Sequence, residues 1–330
     1  MRRKLLPVLL GVFLALGCGL ITQAAPSLKL GQPIDCQLGE NCFVLIYPDR
    51  DPGPEATDVG CGRMTYDGHK GTDFAIPDER VMAQGVAVKA AAAGTVLRVR
   101  NDIPDQRIKD PTETSGVEGI ECGNGVVIDH GQEWETQYCH LREGSVGVQP
   151  GEKVTEGSVL GLVGTSGKAS FPHVHLSVRY QGQVVDPYVG PNAEPGCQTS
   201  KQPLWKTDLP YQPTGLIRAG FAPQLPELDQ LWSGDFSDST LVANSPAVVF
   251  WVQSFGVLEG DQERVKLLNP TGEVAADLER SLPKDQRVWV SSIGKKNTST
   301  ALTTGQWIGK YQLLRDNQVL VDVEKTLRVE

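Results

Sequence analysis

From about Tyr66 onward the chain is written in short β-branched runs separated by glycines, which restricts the folds open to it. The clearest runs are "VAVKAAAAGTVLRVR", "GNGVVIDHG", "ETQYCHL", "VLGLVG" and "HVHLSVRY". Val and Ile enrichment, period-two alternation and glycine punctuation predict strands. "AVKAAAAG" alone has helix propensity, but Val86, Val88, Val96, Leu97 and Val99 around it favour strand–turn–strand. No long helical periodicity interrupts the series, so the expected class is all-β. A chain of 330 residues exceeds what one ordinary domain needs, and two are expected. Residues 101–121 are polar and aperiodic and read as an exposed insertion between two strands. Prolines then crowd residues 197–240, a predicted linker. Strand patterning resumes over 241–330, where a small β-sandwich is expected, with Asp316-Asn317 as a hairpin turn. Its large aromatics read as core, with a ligand-binding aromatic face as the alternative.

The amino terminus reads as an export signal over residues 1–24. Arg2, Arg3 and Lys4 precede an apolar run from Leu5 to Ile21, and "TQA" offers small residues for cleavage after Ala24. A retained anchor and lipidation at Cys18 are the alternatives. The cysteines agree with export. Cys36, Cys42, Cys61, Cys122, Cys139 and Cys197 form an even set that favours disulfides. Sequence does not fix their pairing. Our expectation is Cys36–Cys42 closing a short loop in the lead-in (25–61), Cys122–Cys139 joining neighbouring strands, and Cys61–Cys197 as the remainder. The periplasm suits such a chain best. The net charge of -9 argues against a nucleic-acid partner.

All five histidines, His69, His130, His140, His173 and His175, lie in the first of the two expected domains. In a strand, residues two apart share a face, so His173 and His175 project together, while Val174, Leu176 and Val178 turn to the core. The same rule puts His140 on one face with Thr136 and Tyr138. His130 attracts no chemistry. In "YDGHKGTDFAIP", His69 and Asp73 supply one nitrogen and one carboxylate from a loop entering a strand, and His173 or His175 would supply a third donor. Three protein ligands plus water is the arrangement of a catalytic zinc site. There is no H-E-x-x-H motif, so the general base is expected to be an imidazole.

Over about residues 62–190 the chain resembles the lysostaphin/LytM-type zinc metalloendopeptidases, which cleave peptides of bacterial peptidoglycan. The resemblance rests on "YDGHKGTDF", "CGNGVVIDHG", "TQYCHL", "VQPGEKVTEGSVLGLVGTSG", "FPHVHLSV" and "VVDPYV", in family order. It implies a groove-shaped, mostly antiparallel β-fold of the duplicated hybrid-motif type over 62–196, ahead of the sandwich. It implies one zinc ion on His69, Asp73 and His175, with His140 and His173 as catalytic non-ligands. His173 would take the proton of a zinc-activated water, while His140 holds that water and stabilises the oxyanion; the two roles are exchangeable. Peptidoglycan peptides are the implied substrate, and the C-terminal domain is open to a wall or protein partner. Three departures stand out: "KASFPHVH", where Phe171 reshapes one wall, the polar insertion at 101–121, and the cysteine-rich lead-in, where Asp49, Asp51 and Asp58 are weak candidates for a fourth ligand. A non-catalytic regulator of wall hydrolases, a zinc amidase and a protein-directed peptidase are the alternatives.

Overall fold

A computed structural model of the chain describes residues 28–110, 112, 116–298 and 301–330. The signal over 1–24, with Cys18, lies outside the described residues. The first half is built on one antiparallel sheet. Its strands run in the order β1 (Phe43–Ile46), β2 (Thr72–Ala75), β9 (His173–Tyr180), β6 (Trp134–Leu141), β5 (Asn124–Gly131), β4 (Gly94–Arg100) and β7 (Lys153–Val154). A short β10 (Gln183–Val185) also pairs with β9. The pair β3 (Ala87–Lys89) and β8 (Val159–Leu162) forms a separate small sheet. "AVKAAAAG" is strand then turn, with Ala90, Ala91 and Ala92 buried beneath the sheet.

The sheet has one apolar and one polar face because β9 alternates. Val174, Leu176 and Val178 are at most 1% exposed in the main core. Burying each stabilises the register by about 1.5–3 kcal/mol. A slip of one residue would turn these three out and His173 and His175 in, so the core fixes where the histidines point.

The second half is a two-sheet sandwich. One sheet joins β11 (Gly215–Ala222), β12 (Ala247–Val257) and β15 (Gln286–Lys296); the other orders β14 (Val274–Ser281), β13 (Gln262–Leu268), β16 (Gly305–Arg315) and β17 (Gln318–Val329). Phe221, Phe250, Trp307 and Tyr311 fill the space between them, so these aromatics are core. Asp316 and Asn317 have φ of 50° and 63°, the left-handed pair that a tight hairpin between β16 and β17 requires.

Three segments are more ordered than expected. The lead-in contributes β1, which pairs with β2. The Pro-rich stretch 197–240 is no plain linker: it carries β11, an edge of the sandwich, and α2 (Leu228–Ser233). Its prolines flank these elements and leave their interiors free, which is where proline is tolerated. The insertion lies between β4 and β5 and is largely exposed, but Arg107 is 6% exposed. Its guanidinium meets Asp229 of α2 at 2.5 Å and Glu79, on α1 (Glu79–Gln84), at 3.4 Å. Phe43 stacks on Phe255 at 5.5 Å, so the halves share packed apolar surface. The disulfides are Cys36–Cys42, Cys61–Cys197 and Cys122–Cys139, as expected.

Candidate metal centre

Asp73 and His175 are direct cross-strand partners in β2 and β9. Opposite residues in such a pair hold their Cβ atoms about 5 Å apart, so both side chains reach one point above the polar face. His69 enters from the loop before β2. The three donor atoms form a triangle: His175 Nδ1 to Asp73 Oδ1 is 2.7 Å, His69 Nε2 to His175 Nδ1 is 3.1 Å, and His69 Nε2 to Asp73 Oδ1 is 3.2 Å. Tetrahedral zinc with bonds near 2.0–2.1 Å sets its ligands about 3.3 Å apart. The triangle is slightly tighter than that, and the two-nitrogen, one-oxygen donor set is one zinc accepts, so these residues fit the ion. Among the described residues, this is the one cluster of His, Cys, Asp and Glu with converging donor atoms.

Each imidazole is anchored on its far side. His69 donates Nδ1–H to the Tyr47 carbonyl at 2.8 Å, which leaves Nε2 bare toward the centre. The Ser177 hydroxyl donates to the Lys70 carbonyl at 2.8 Å and therefore accepts from His175 Nε2–H at 3.1 Å, leaving Nδ1 bare. Such bonds fix tautomer and ring orientation in metal-binding histidines. Gly71 keeps this space open: a Cβ there would lie 2.4 Å from His175 Nε2. The two-residue alternation of β9 puts Ser177 on the face of His173 and His175, but spacing alone does not reveal its bond to His175. Gly71 was visible only as one more glycine.

His140 and His173 stand beside the triangle, their rings 4.6 Å apart. His140 donates Nδ1–H to the Ser166 carbonyl and His173 to the Phe171 carbonyl, each at 2.8 Å, so both present a bare Nε2. The shared face expected for Thr136, Tyr138 and His140 does not hold. Tyr138 is core, while His140 looks into the groove. A bulge in the β5–β6 pairing and a φ of 63° at His140 break the alternation. Left-handed backbone is unfavourable for a side-chain-bearing residue and marks functional positions. His130 lies apart, bonded to the Ala93 carbonyl and Thr136 Oγ1. Asp49 accepts backbone N–H bonds from Asp51, Thr57 and Gly68, and Asp58 from Gly60, Gly62 and Met64 and from the Tyr211 hydroxyl; neither joins the centre, nor does Asp51.

The electrostatics separate these groups. Burial pushes the Asp73 carboxyl up, but the His69, His173 and His175 imidazoles outweigh it and hold it well below the usual carboxylate range. Burial works against a charged His69, but the Asp73 charge and hydrogen bond raise its pKa. Burial wins at His140, reinforced by His173 and His175, and drives its pKa well below the ordinary imidazole value. Burial also lowers His173, with Asp73 opposing it. Both non-triangle histidines are therefore neutral at neutral pH.

Asp73, His140, His173 and His175 line a cavity of about 910 Å³ to which α2 and the sandwich also contribute walls. Phe171 stands at one wall as expected. Its ring is 4.4 Å from that of His173 and 5.5 Å from that of Trp232 on α2.

Residues 67–187 match the family model "Peptidase family M23". Over 118 residues the chain is 32% identical to peptidoglycan DD-endopeptidase ShyA of Vibrio cholerae, a match spanning 36% of this chain and 22% of that protein. Over 119 residues it is 34% identical to the DD-carboxypeptidase/endopeptidase Mpg of Neisseria meningitidis, again 36% and 22%. The chain thus spans about a fifth of the length of these curated relatives. A solved structure of a zinc-containing peptidase from Vibrio cholerae is 26% identical, covers 44% of this chain and 39% of its own, and superposes with a TM-score of 0.28. Residues 67–187, which carry the His–Asp–His triangle, therefore match a peptidase family M23 domain.

Proposed function

We propose that the protein is an exported zinc metalloendopeptidase that hydrolyses peptide bonds of peptidoglycan. The observation that carries this is the convergence of His69 Nε2, Asp73 Oδ1 and His175 Nδ1 within 3.2 Å of one another, beside the His140 and His173 imidazoles, which are not part of the triangle. His69, Asp73 and His175 would hold one zinc ion per chain. When bound, zinc supplies a Lewis acid that acidifies water and polarises a carbonyl.

The protein's own groups divide the remaining work. His140 and His173, with Nδ1 committed to backbone carbonyls, offer Nε2 as acceptors for the two O–H bonds of a water. His173 is the better base. Its Nε2 lies 3.7 Å from Asp73 Oδ1, whose negative charge stabilises the imidazolium formed on proton uptake. His173 then returns that proton to the leaving amine. His140 orients the water. Its bare Nε2 donates to an oxyanion only after receiving a proton, which ranks that expected role second.

Three disulfides support an oxidising, exported setting. No helix among the described residues is long and apolar enough to cross a membrane. A regulator that had lost its chemistry would lack one of the five groups, and this chain has all of them. Digestion of defined cross-linked muropeptides, read by mass spectrometry with and without a chelator, tests the proposal. Cleavage between amino acids, abolished by chelator and restored by zinc, is expected. Release of intact peptide from sugar would identify an amidase instead, and chelator-resistant cleavage would refute the mechanism.

A further inference from the structure

The cavity lining carries unevenly balanced charge. Six cations line the cavity: Arg63, Arg107, Lys109, Lys168, Arg287 and Arg315. Four have carboxylate partners. Arg63 pairs with Asp285, Arg107 with Glu79 and Asp229, Lys109 with Asp229, and Arg315 with Asp261. Among the described residues, no carboxylate lies within ion-pair distance of Lys168 or Arg287.

These two differ in how they are held. Lys168 is exposed in a loop that follows Ser166 and Gly167. Arg287 projects from β15 of the sandwich. Its Nε–H donates to the Arg63 carbonyl at 3.4 Å, and its guanidinium lies 6.0 Å from the centroid of the Tyr66 ring. That tyrosine ring is in turn 4.6 Å from the ring of His69. The strand, the carbonyl and the aromatic face thus hold a guanidinium at the His69 end of the groove. Its two terminal nitrogens have no acceptor among the described residues. A guanidinium pair of this kind matches the two oxygens of a carboxylate, which a lysine ammonium does not.

We infer that Arg287 is a specificity residue that the sandwich places in the substrate groove, where it binds a carboxylate of the peptide, so that the enzyme prefers acidic peptides with a free carboxylate on the His69 side of the scissile bond. This rests on the peptidase reading above. It gives the second half a part in substrate selection at the groove itself. Hydrogen bonds to charged groups are among the stronger ones, so replacing the carboxylate by a carboxamide is expected to weaken binding roughly 10- to 100-fold.

The test uses matched peptides that differ only in carboxylate against carboxamide at that position. Turnover is measured on the zinc-loaded full chain, and affinity by fluorescence anisotropy on the metal-free chain. Wild type should favour the carboxylate in both assays, mainly through KM. Arg287→Ala should erase the preference, and Arg287→Lys should restore part of it, with melting curves confirming that both variants fold. Lys168→Ala should keep the preference. Equal handling of the two peptides by wild type would overturn the inference. So would a preference that survives Arg287→Ala, or one that Lys168→Ala removes equally. If neither peptide is cut, the peptidase reading fails, while the anisotropy ratio still decides the role of Arg287.

Discussion

The part of the chain before residue 198 holds every histidine and all three disulfides, whereas the part from β11 onward holds neither His nor Cys. The second half relies on apolar area, with Phe221, Phe250, Trp307 and Tyr311 between two sheets. The first half cannot do so on both faces. One face of β9 is core; the other carries His173, His175 and Ser177, which must stay polar to work. Crosslinks make up part of that difference by restricting the unfolded chain. Cys122–Cys139 sits directly behind the site, where the Cys122 carbonyl accepts the His140 N–H at 2.8 Å. The contrast shows a functional face that forgoes hydrophobic stabilisation beside a scaffold that maximises it. The division is incomplete, because Trp232 and Arg287 of the second part also line the cavity.

The largest effect expected within the first half follows from Asp73→Ala. Removing the one carboxylate of the triangle should lower peptidase activity by at least ~10³-fold in a turnover assay. His173→Ala comes next, at roughly 10²–10⁴-fold, with His140→Ala toward the lower end of that range. Both should retain zinc, measured as metal per chain; full activity in His173→Ala would remove the base assignment, and full activity in His140→Ala the water-orienting one. Trp232→Ala tests whether the second part reaches the chemistry. It removes the ring that backs Phe171 against His173, and a kcat loss of about tenfold with unchanged zinc content is expected. A change in metal content alone would break that assignment. The smallest effect should come from His130→Ala. Among the described residues its ring hydrogen-bonds to Ala93 and Thr136, outside the His–Asp–His triangle, so less than about a twofold change in kcat/KM is predicted.

The strands of the first half were legible because their alternation follows from burial on one side, as Val174, Leu176 and Val178 show. The convergence of His69, Asp73 and His175 could be anticipated because a loop running into β2 carries the first two and the alternation of β9 fixes the face of the third. His140 was misplaced because period-two counting assumes regular backbone, and its φ of 63° violates that locally. The strand "GLIRAGFA" was hidden by the prolines around it, although its own apolar content was a usable signal. Nothing local announced Arg287 or Trp232. They reach the cavity through packing between distant segments, such as Phe43 on Phe255, and spacing along the chain carries no trace of that.

Metal analysis of purified full-length protein, wild type beside Asp73→Ala and His175→Ala, tests the arrangement of the centre most directly. About one zinc per chain in wild type, falling by at least roughly tenfold in both variants while their melting curves stay cooperative, is the predicted result. Full zinc content in either variant would contradict the three-residue centre and the mechanism built on it.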